Sequence, residues 1–302
     1  MYPRAFKYER ATSLENAIEL LSRNRDDVRP LAGGMSLIPL AKLRLLSPGC
    51  MVDIGRLSEL KGIKQDKEWL EIGALTTNTE ILESKWLSGS YPLLLDTVKE
   101  IGDVQVRNRG TIGGNLAQAD SSTDWPATMI ALRAKFVSRG PKGERIHDAD
   151  SFCIEPYTTA LDPDELLTHI RVPNPASGSV GASHIKLERR KGDYAIGIVS
   201  AQLEVDNEGK CVSVGVGIGA VGVIAVRASK TEQLLKGRRV DADTLAKVGD
   251  TVRDSFGGMD ILSDIKAPSD YRLDVIGTLA ERCISKAYSM ATSAGAGQDK
   301  GR

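Results

Sequence analysis

Two glycine pairs, Gly33–Gly34 and Gly113–Gly114, constrain this chain more than any other feature of its sequence. Adjacent glycines open backbone angles closed to other residues and let a second group approach with no Cβ in the way. The first pair follows a predicted strand at 28–32 and precedes Ser36 and the apolar run 37–46. The second lies in a dense stretch at 107–115, where Gly110, Gly113 and Gly114 alternate with the donors Thr111 and Asn115. Arg107 and Arg109 raise the local positive potential there. Glycine supplies 30 of the 302 residues and aromatics only 5%, so the backbone itself is used at close quarters somewhere in the fold.

The elements around these pairs read as a mixed chain of about two domains, at roughly 150 residues each. Thr12 with Glu15 forms an expected capping box, and Leu14, Ala17, Ile18 and Leu21 follow helical spacing. With short strands at 51–54 and 70–74, the first 55 residues predict a β-α-β-α-β unit. Thr77 and Glu80 make a second capping box. A helix is expected at 91–100 and another at 127–134; between them, 105–124 is expected as a loop too long for an ordinary connection, a length usually tied to function. Short strands continue to 172, and the Pro-, Ser- and Gly-rich stretch 173–181 reads as the linker between the main domains. Strands at 184–187, 195–205 and 210–219, helices near 241–255 and 269–289, and a frayed small-residue tail from 291 complete the chain. The expected organisation is a domain at 1–176, divided into 1–55 and 56–176, then a domain at 177–290 and a tail at 291–302.

Several classes are excluded. Lys plus Arg number 40 and Asp plus Glu number 40, so nothing points to nucleic acid or an acidic membrane surface. The four cysteines are scattered with no Cys-x-x-Cys, and no two of the three histidines lie within four residues of one another. A zinc or iron–sulfur site within this chain therefore lacks ligands, and each histidine reads as a surface or packing residue. The same cysteine usage and an N-terminus without an apolar core lead to an expectation of the cytoplasm. The uncharged stretch 211–226 is too short and too glycine-interrupted to span a membrane, and reads as buried strands.

Glycine-rich turns bind phosphate because several N–H groups converge on one point. Gly217, Gly219 and Gly222 match the Gly-x-Gly-x-x-Gly dinucleotide spacing, but that fingerprint needs a helix to begin there, and 221–226 is β-branched and strand-like. No Gly-x-x-x-x-Gly-Lys-Ser/Thr loop occurs. Two separated glycine pairs, each beside a hydroxyl or amide donor, suit a ligand with two phosphates. FAD is the natural inference, and other diphosphates also satisfy it.

At this point the motifs resemble a known family. Ala32-Gly-Gly-Met-Ser36 and Thr111-Ile-Gly-Gly-Asn115 are similar to the paired FAD motifs of the flavin subunits of molybdenum hydroxylases. Those subunits include the medium subunits of carbon monoxide and aldehyde dehydrogenases and the flavin domain of xanthine dehydrogenase. Gln105 to Gly110, Asp124-Trp-Pro126, Asp162 to Leu167, Gly192 to Ile196 and Tyr271-Arg272 extend the likeness over nearly the whole chain. The resemblance implies an α+β fold: a two-part N-terminal FAD-binding domain of the vanillyl-alcohol-oxidase (PCMH) type, with a C-terminal antiparallel sheet and helices over the flavin end. It implies cofactor contacts from Arg29, Pro30, Leu31, Ala32, Gly33, Gly34, Met35 and Ser36, from Ile101, and from Thr111, Gly113, Gly114 and Asn115. Asp124, Leu167 (through its backbone), Lys186 and Tyr194 complete that set. Met35 departs from relatives that often carry His or another polar residue.

The resemblance further implies an electron-transfer subunit with no catalytic acid, base or metal of its own. It would take electrons from the [2Fe–2S] clusters of a small partner subunit, supplied by a large partner bearing the molybdopterin cofactor, and pass them to an external acceptor. Assembly as a dimer of heterotrimers is part of the same expectation. A stand-alone flavoprotein of the same fold, an enolpyruvyl-sugar reductase and a colourless nucleotide-binding scaffold are the alternatives.

Overall fold

The structure is a computed structural model that describes residues 2–23, 27–87, 90–175 and 179–298. The N-terminal unit runs β1 (Lys7–Arg10), α1 (Leu14–Arg23), β2 (Val28–Leu31), α2 (Leu37–Lys42) and β3 (Cys50–Asp53). Its three strands are parallel in the order β1-β3-β2, which is the expected β-α-β-α-β unit. α1 forms because Leu14, Ala17, Ile18 and Leu21 share one face, and all four are buried. Its cap lies one residue beyond the expected pair. Asn16 N donates to Ser13 Oγ at 3.1 Å and Thr12 N donates to Asn16 Oδ1 at 3.1 Å, while Glu15 turns outward to Arg139.

The second unit comprises β4 (Ile63–Gln65), β5 (Trp69–Gly73), α3 (Asn78–Leu82), α4 (Pro92–Glu100), α5 (Val104–Arg109), α6 (Ile112–Gln118), α7 (Asp124–Ala131), β6 (Lys135–Gly140), β7 (Gly143–Asp148), α8 (Ala149–Phe152), β8 (Cys153–Glu155), β9 (Thr158–Thr159) and β10 (Leu166–Pro173). Five strands make an antiparallel sheet in the order β4-β5-β10-β6-β7, so the last strand of the unit enters its centre. Thr77 and Glu80 close the expected capping box on α3. The stretch expected as one long loop is largely helical. Asp103 caps α5 by accepting from Val106 N, and Thr111 caps α6 by accepting from Gly114 N. Buried Trp125, Phe136, Phe152, Ile72 and Ile170 form the core beneath them.

The C-terminal unit has β11 (Ser179–Leu187), β12 (Gly197–Val205), β13 (Cys211–Gly219), β14 (Val226–Arg227), α9 (Ser229–Leu235), α10 (Ala242–Leu245), α11 (Val248–Arg253) and α12 (Ser269–Gln298). The strands form an antiparallel sheet in that order, with α12 laid across β11 and β12. α12 continues through the stretch expected to fray, as far as Gln298. Its inward face explains the difference: Ala287 and Ala291 are fully buried, and a Cβ at Gly181 would lie 2.0 Å from Ala287 O. The linker is shorter than the expected 173–181: Pro173 ends β10 and Ser179 to Gly181 already belong to β11, while residues 176–178 lie outside the described residues. Among the described residues no helix is long and apolar enough to cross a membrane, and no group of three metal-ligating side chains could hold an ion.

α7 packs on β13 where the two larger units meet. A Cβ at Gly215 would lie 1.9 Å from Ala131 O, and one at Gly217 would lie 1.9 Å from Ala127 O. The near-match to a dinucleotide fingerprint is thus a surface for a helix. No helix follows Gly219; the chain turns at Ala220, with φ +62°, and returns toward β14.

Candidate functional site

The two glycine pairs meet. The first follows the carboxyl end of β2, the edge of a parallel sheet where ligands commonly sit. The second opens α6. A Cβ at Gly33 would lie 1.9 Å from Arg109 O and 3.2 Å from Gly110 Cα, so only glycine permits this approach. Met35 Cγ lies 3.8 Å from the Cβ position of Gly110, and Ala32 Cβ lies 3.6 Å from that of Gly114. Two subdomains therefore present one continuous backbone surface.

The loops offer different donors. Among the described residues, the N–H groups of Gly33, Gly34, Met35 and Ser36 find no acceptor in the protein. Gly34 has φ +78°, which turns the successive amides. The second loop spends its amides internally, with Gly113 N donating to Ala74 O at 2.9 Å and Gly114 N to Thr111 Oγ1 at 3.2 Å. What remains there is the Thr111 hydroxyl proton and the Asn115 side chain. Asn115 Oδ1 is buried with no hydrogen-bond partner among the described residues. A buried orphan acceptor costs about 1–3 kcal/mol unless a ligand donor or water meets it.

The other expected site residues fall into three places. Leu167 is buried in β10, and its neighbour Thr168 accepts from Ala74 N at 2.8 Å, Ala74 being the residue that receives Gly113. Ile101 caps α4, and its carbonyl accepts from the Arg107 guanidinium at 2.9 Å. Beside it Lys186 donates to Glu100 O at 3.2 Å and contacts Asp124 at 3.2 Å and Glu188 at 3.3 Å. The three ammonium protons of Lys186 thus have protein partners, so it reaches a ligand through its charge or by exchanging one of these bonds. Arg29 and Pro30 are exposed on β2, with the Arg29 guanidinium donating to Val28 O.

Tyr194 stands half-exposed at the mouth. Burial raises its phenol above the ordinary range, with the nearby Asp120 charge adding to this and a hydrogen bond with Ser36 opposing it. That bond joins the C-terminal unit to the first loop. Lys266 lies 5.0 Å from the centroid of the Tyr194 ring and donates to Tyr194 O at 3.2 Å. Burial lowers the Lys266 ammonium, although Asp264 and Asp120 pull the other way.

Sequence reasoning missed several of these residues. Asn78 accepts from Trp125 Nε1 at 2.9 Å and lies against Gly110, but a lone Asn after a capping threonine carries no signal. His184, expected as a surface or packing residue, faces Asp124 with its Nε2 at 3.2 Å. A signal existed: His184 and Lys186 alternate along β11 and so share one face, with Glu188 just past the strand's end.

Comparison with known proteins agrees with this fold. A family model described as "FAD binding domain in molybdopterin dehydrogenase" matches residues 4–175, and "CO dehydrogenase flavoprotein C-terminal domain" matches residues 183–287. The carbon monoxide dehydrogenase medium chain of Afipia carboxidovorans is 36% identical over 291 residues, covering 96% of this chain and 99% of that protein. The glyceraldehyde dehydrogenase medium chain of Sulfolobus acidocaldarius is 35% identical over 286 residues, 95% of this chain and 99% of the relative. The solved structure of reconstituted CO dehydrogenase from Oligotropha carboxidovorans superposes with a TM-score of 0.92 at 36% identity, over 96% of this chain and 100% of that one. Met35 and the shifted details of individual caps leave that agreement untouched. The chain belongs to the family of FAD-binding medium subunits of the molybdenum hydroxylases.

Proposed function

We propose that this chain is the FAD-carrying electron-transfer subunit of a molybdenum-dependent hydroxylase or dehydrogenase complex. The observation that carries the reading is the abutment of the two glycine loops, with four amides on one side lacking acceptors and an orphaned buried Asn115 oxygen on the other. That donor set fits a diphosphate and its ribityl chain. Bound FAD supplies redox chemistry that links one-electron carriers to two-electron acceptors.

This chain's residues bind and orient that group. Gly33, Gly34, Met35 and Ser36 offer amides to the diphosphate, with Arg29 to Ala32 shaping the approach. Thr111 and Asn115 hold the other side, while Gly113 and Gly114 let the second loop come close. Asp124 accepts hydrogen bonds from the cofactor, Leu167 meets it through backbone, and Ile101 covers it with apolar surface. Lys186 places positive charge nearby, which favours an electron-rich flavin. Tyr194 lies over the open side and limits access of water. No acid, base or metal of this chain enters the reaction.

The partners in this reading are a large subunit with the molybdopterin cofactor and a small subunit with [2Fe–2S] clusters, arranged as a dimer of heterotrimers in the cytoplasm. Relatives named for carbon monoxide and for glyceraldehyde match this chain over nearly its full length. The organic substrate is therefore selected outside this subunit, and electrons leave to an external acceptor. Purification of the tagged chain from its native cell tests the reading. Molybdenum, iron and acid-labile sulfide should co-elute with flavin and with two further polypeptides. A chain that carries flavin and turns over alone, with no metal, would replace this reading with a stand-alone flavoprotein.

A further inference from the structure

We propose that His184 is a positioning residue for cofactor binding, acting by fixing the carboxylate of Asp124; the inference rests on the reading that Asp124 contacts the cofactor. Asp124 is the first residue of α7 and is 5% exposed. One of its oxygens faces His184 Nε2 at 3.2 Å and the other faces Lys186 Nζ at 3.2 Å. An unprotonated nitrogen there would oppose one acceptor with another, so the ring proton on Nε2 points at the carboxylate. The second ring nitrogen is also held. Nδ1 lies 2.9 Å from Ser200 Oγ, which lies 2.9 Å from Thr128 Oγ1, itself 2.7 Å from Thr97 Oγ1. That chain of hydroxyls ends on the helical carbonyl of Leu93, 2.8 Å from Thr97 Oγ1.

An imidazole clamped at both nitrogens and with a wholly buried side chain cannot rotate, and neither can the carboxylate it binds. Lys186 alone would not do this. It divides its protons among Asp124, Glu188 and Glu100 O, whereas the His184 Nε2 proton has Asp124 as its partner. His184 and Lys186 sit on β11 of the C-terminal sheet, whereas Asp124 belongs to the FAD-binding half. The C-terminal unit thereby sets the geometry of a binding residue in the other unit.

The test is a titration of the full-length apo-chain with FAD, followed by flavin fluorescence, for His184→Leu, His184→Gln, Asp124→Asn and the His184→Leu/Asp124→Asn double variant. Losing a charge-assisted hydrogen bond should weaken FAD binding about tenfold in His184→Leu. Glutamine presents an amide N–H toward Asp124 and should restore most of that loss. The double variant should bind no more weakly than Asp124→Asn alone, because both changes remove one shared interaction. Losses that add, or equal losses in the Leu and Gln variants with matching falls in apo-chain melting temperature, would reduce His184 to a packing residue. Unchanged binding in Asp124→Asn would instead overturn the contact between Asp124 and the cofactor. If the Leu variant does not fold, His184→Asn, whose amide falls short of Asp124, takes its place in the same comparison.

Discussion

The glycines of β13 and those of the paired loops meet the same physical demand and serve different ends. At Gly217 and at Gly33 alike, a Cβ would lie 1.9 Å from a backbone carbonyl oxygen. At Gly217 that oxygen belongs to Ala127 in α7, so the missing side chain lets a helix settle on a sheet between two units. At Gly33 it belongs to Arg109, so the missing side chain brings two loops together, beside amides that find no acceptor among the described residues. A glycine motif read only from spacing does not separate these cases. What separates them is whether the neighbouring N–H groups are consumed by the fold.

The largest effect is expected at Gly217. Gly217→Ala should cost about 3 kcal/mol or more in chemical denaturation, because α7 must shift across a packed interface. Gly33→Ala should act on the ligand instead, weakening FAD binding by about 100-fold while lowering stability far less. If both substitutions lower stability equally and FAD binding follows stability, the distinction drawn here is wrong. Asn115→Ala sharpens it further. Removing its orphan oxygen relieves an unsatisfied acceptor, so apo-chain stability should hold or rise while FAD binding weakens about tenfold. A clear loss of apo-chain stability would mean that the oxygen already has a partner.

The smallest effect concerns pH. Burial pushes both His147 and His169 below their ordinary value of 6.5, although Glu165 and Glu71 respectively oppose this. The unfolded chain therefore takes up protons first on acidification. Stability tied to these groups is whole above 6.5 and is lost as pH falls through that value toward the folded ones. Both lie in the sheet of the FAD-binding half, on β7 and β10. Hydrogen exchange at pH 5.5 against 7.5 should show β6, β7 and β10 loosening more than β12 and β13. Uniform loosening would remove the histidines as its cause.

Much of the fold could be read in the sequence because local signals and burial agree there. The N-terminal β-α-β-α-β unit follows from the buried spacing of Leu14 to Leu21, and β12 and β13 follow from their apolar runs and the turn at 206–209, whereas β11 reaches back to Ser179, into the stretch expected as a linker. The stretch at 105–124 misleads because α5 and α6 are six and seven residues long, and Gly113 and Gly114 lie inside α6. Caps from Asp103 and Thr111 and packing on Ala74 outweigh the poor helix propensity of glycine. α9 was missed for the same reason of length, with seven residues. The site was legible as two loops and several lone residues, but their meeting was not. Gly33 and Arg109, or Asp124 and His184, are joined only by long-range folding, which no local pattern encodes.

In the proposed function two loops from separate subdomains hold one FAD between them. The most direct measurement is the visible absorption spectrum of the purified chain, followed by acid release and identification of what comes off. Flavin bands and released FAD are expected, with both diminished in Gly33→Ala. A colourless chain that takes up no added FAD would contradict it and leave the glycine pairs as structural turns.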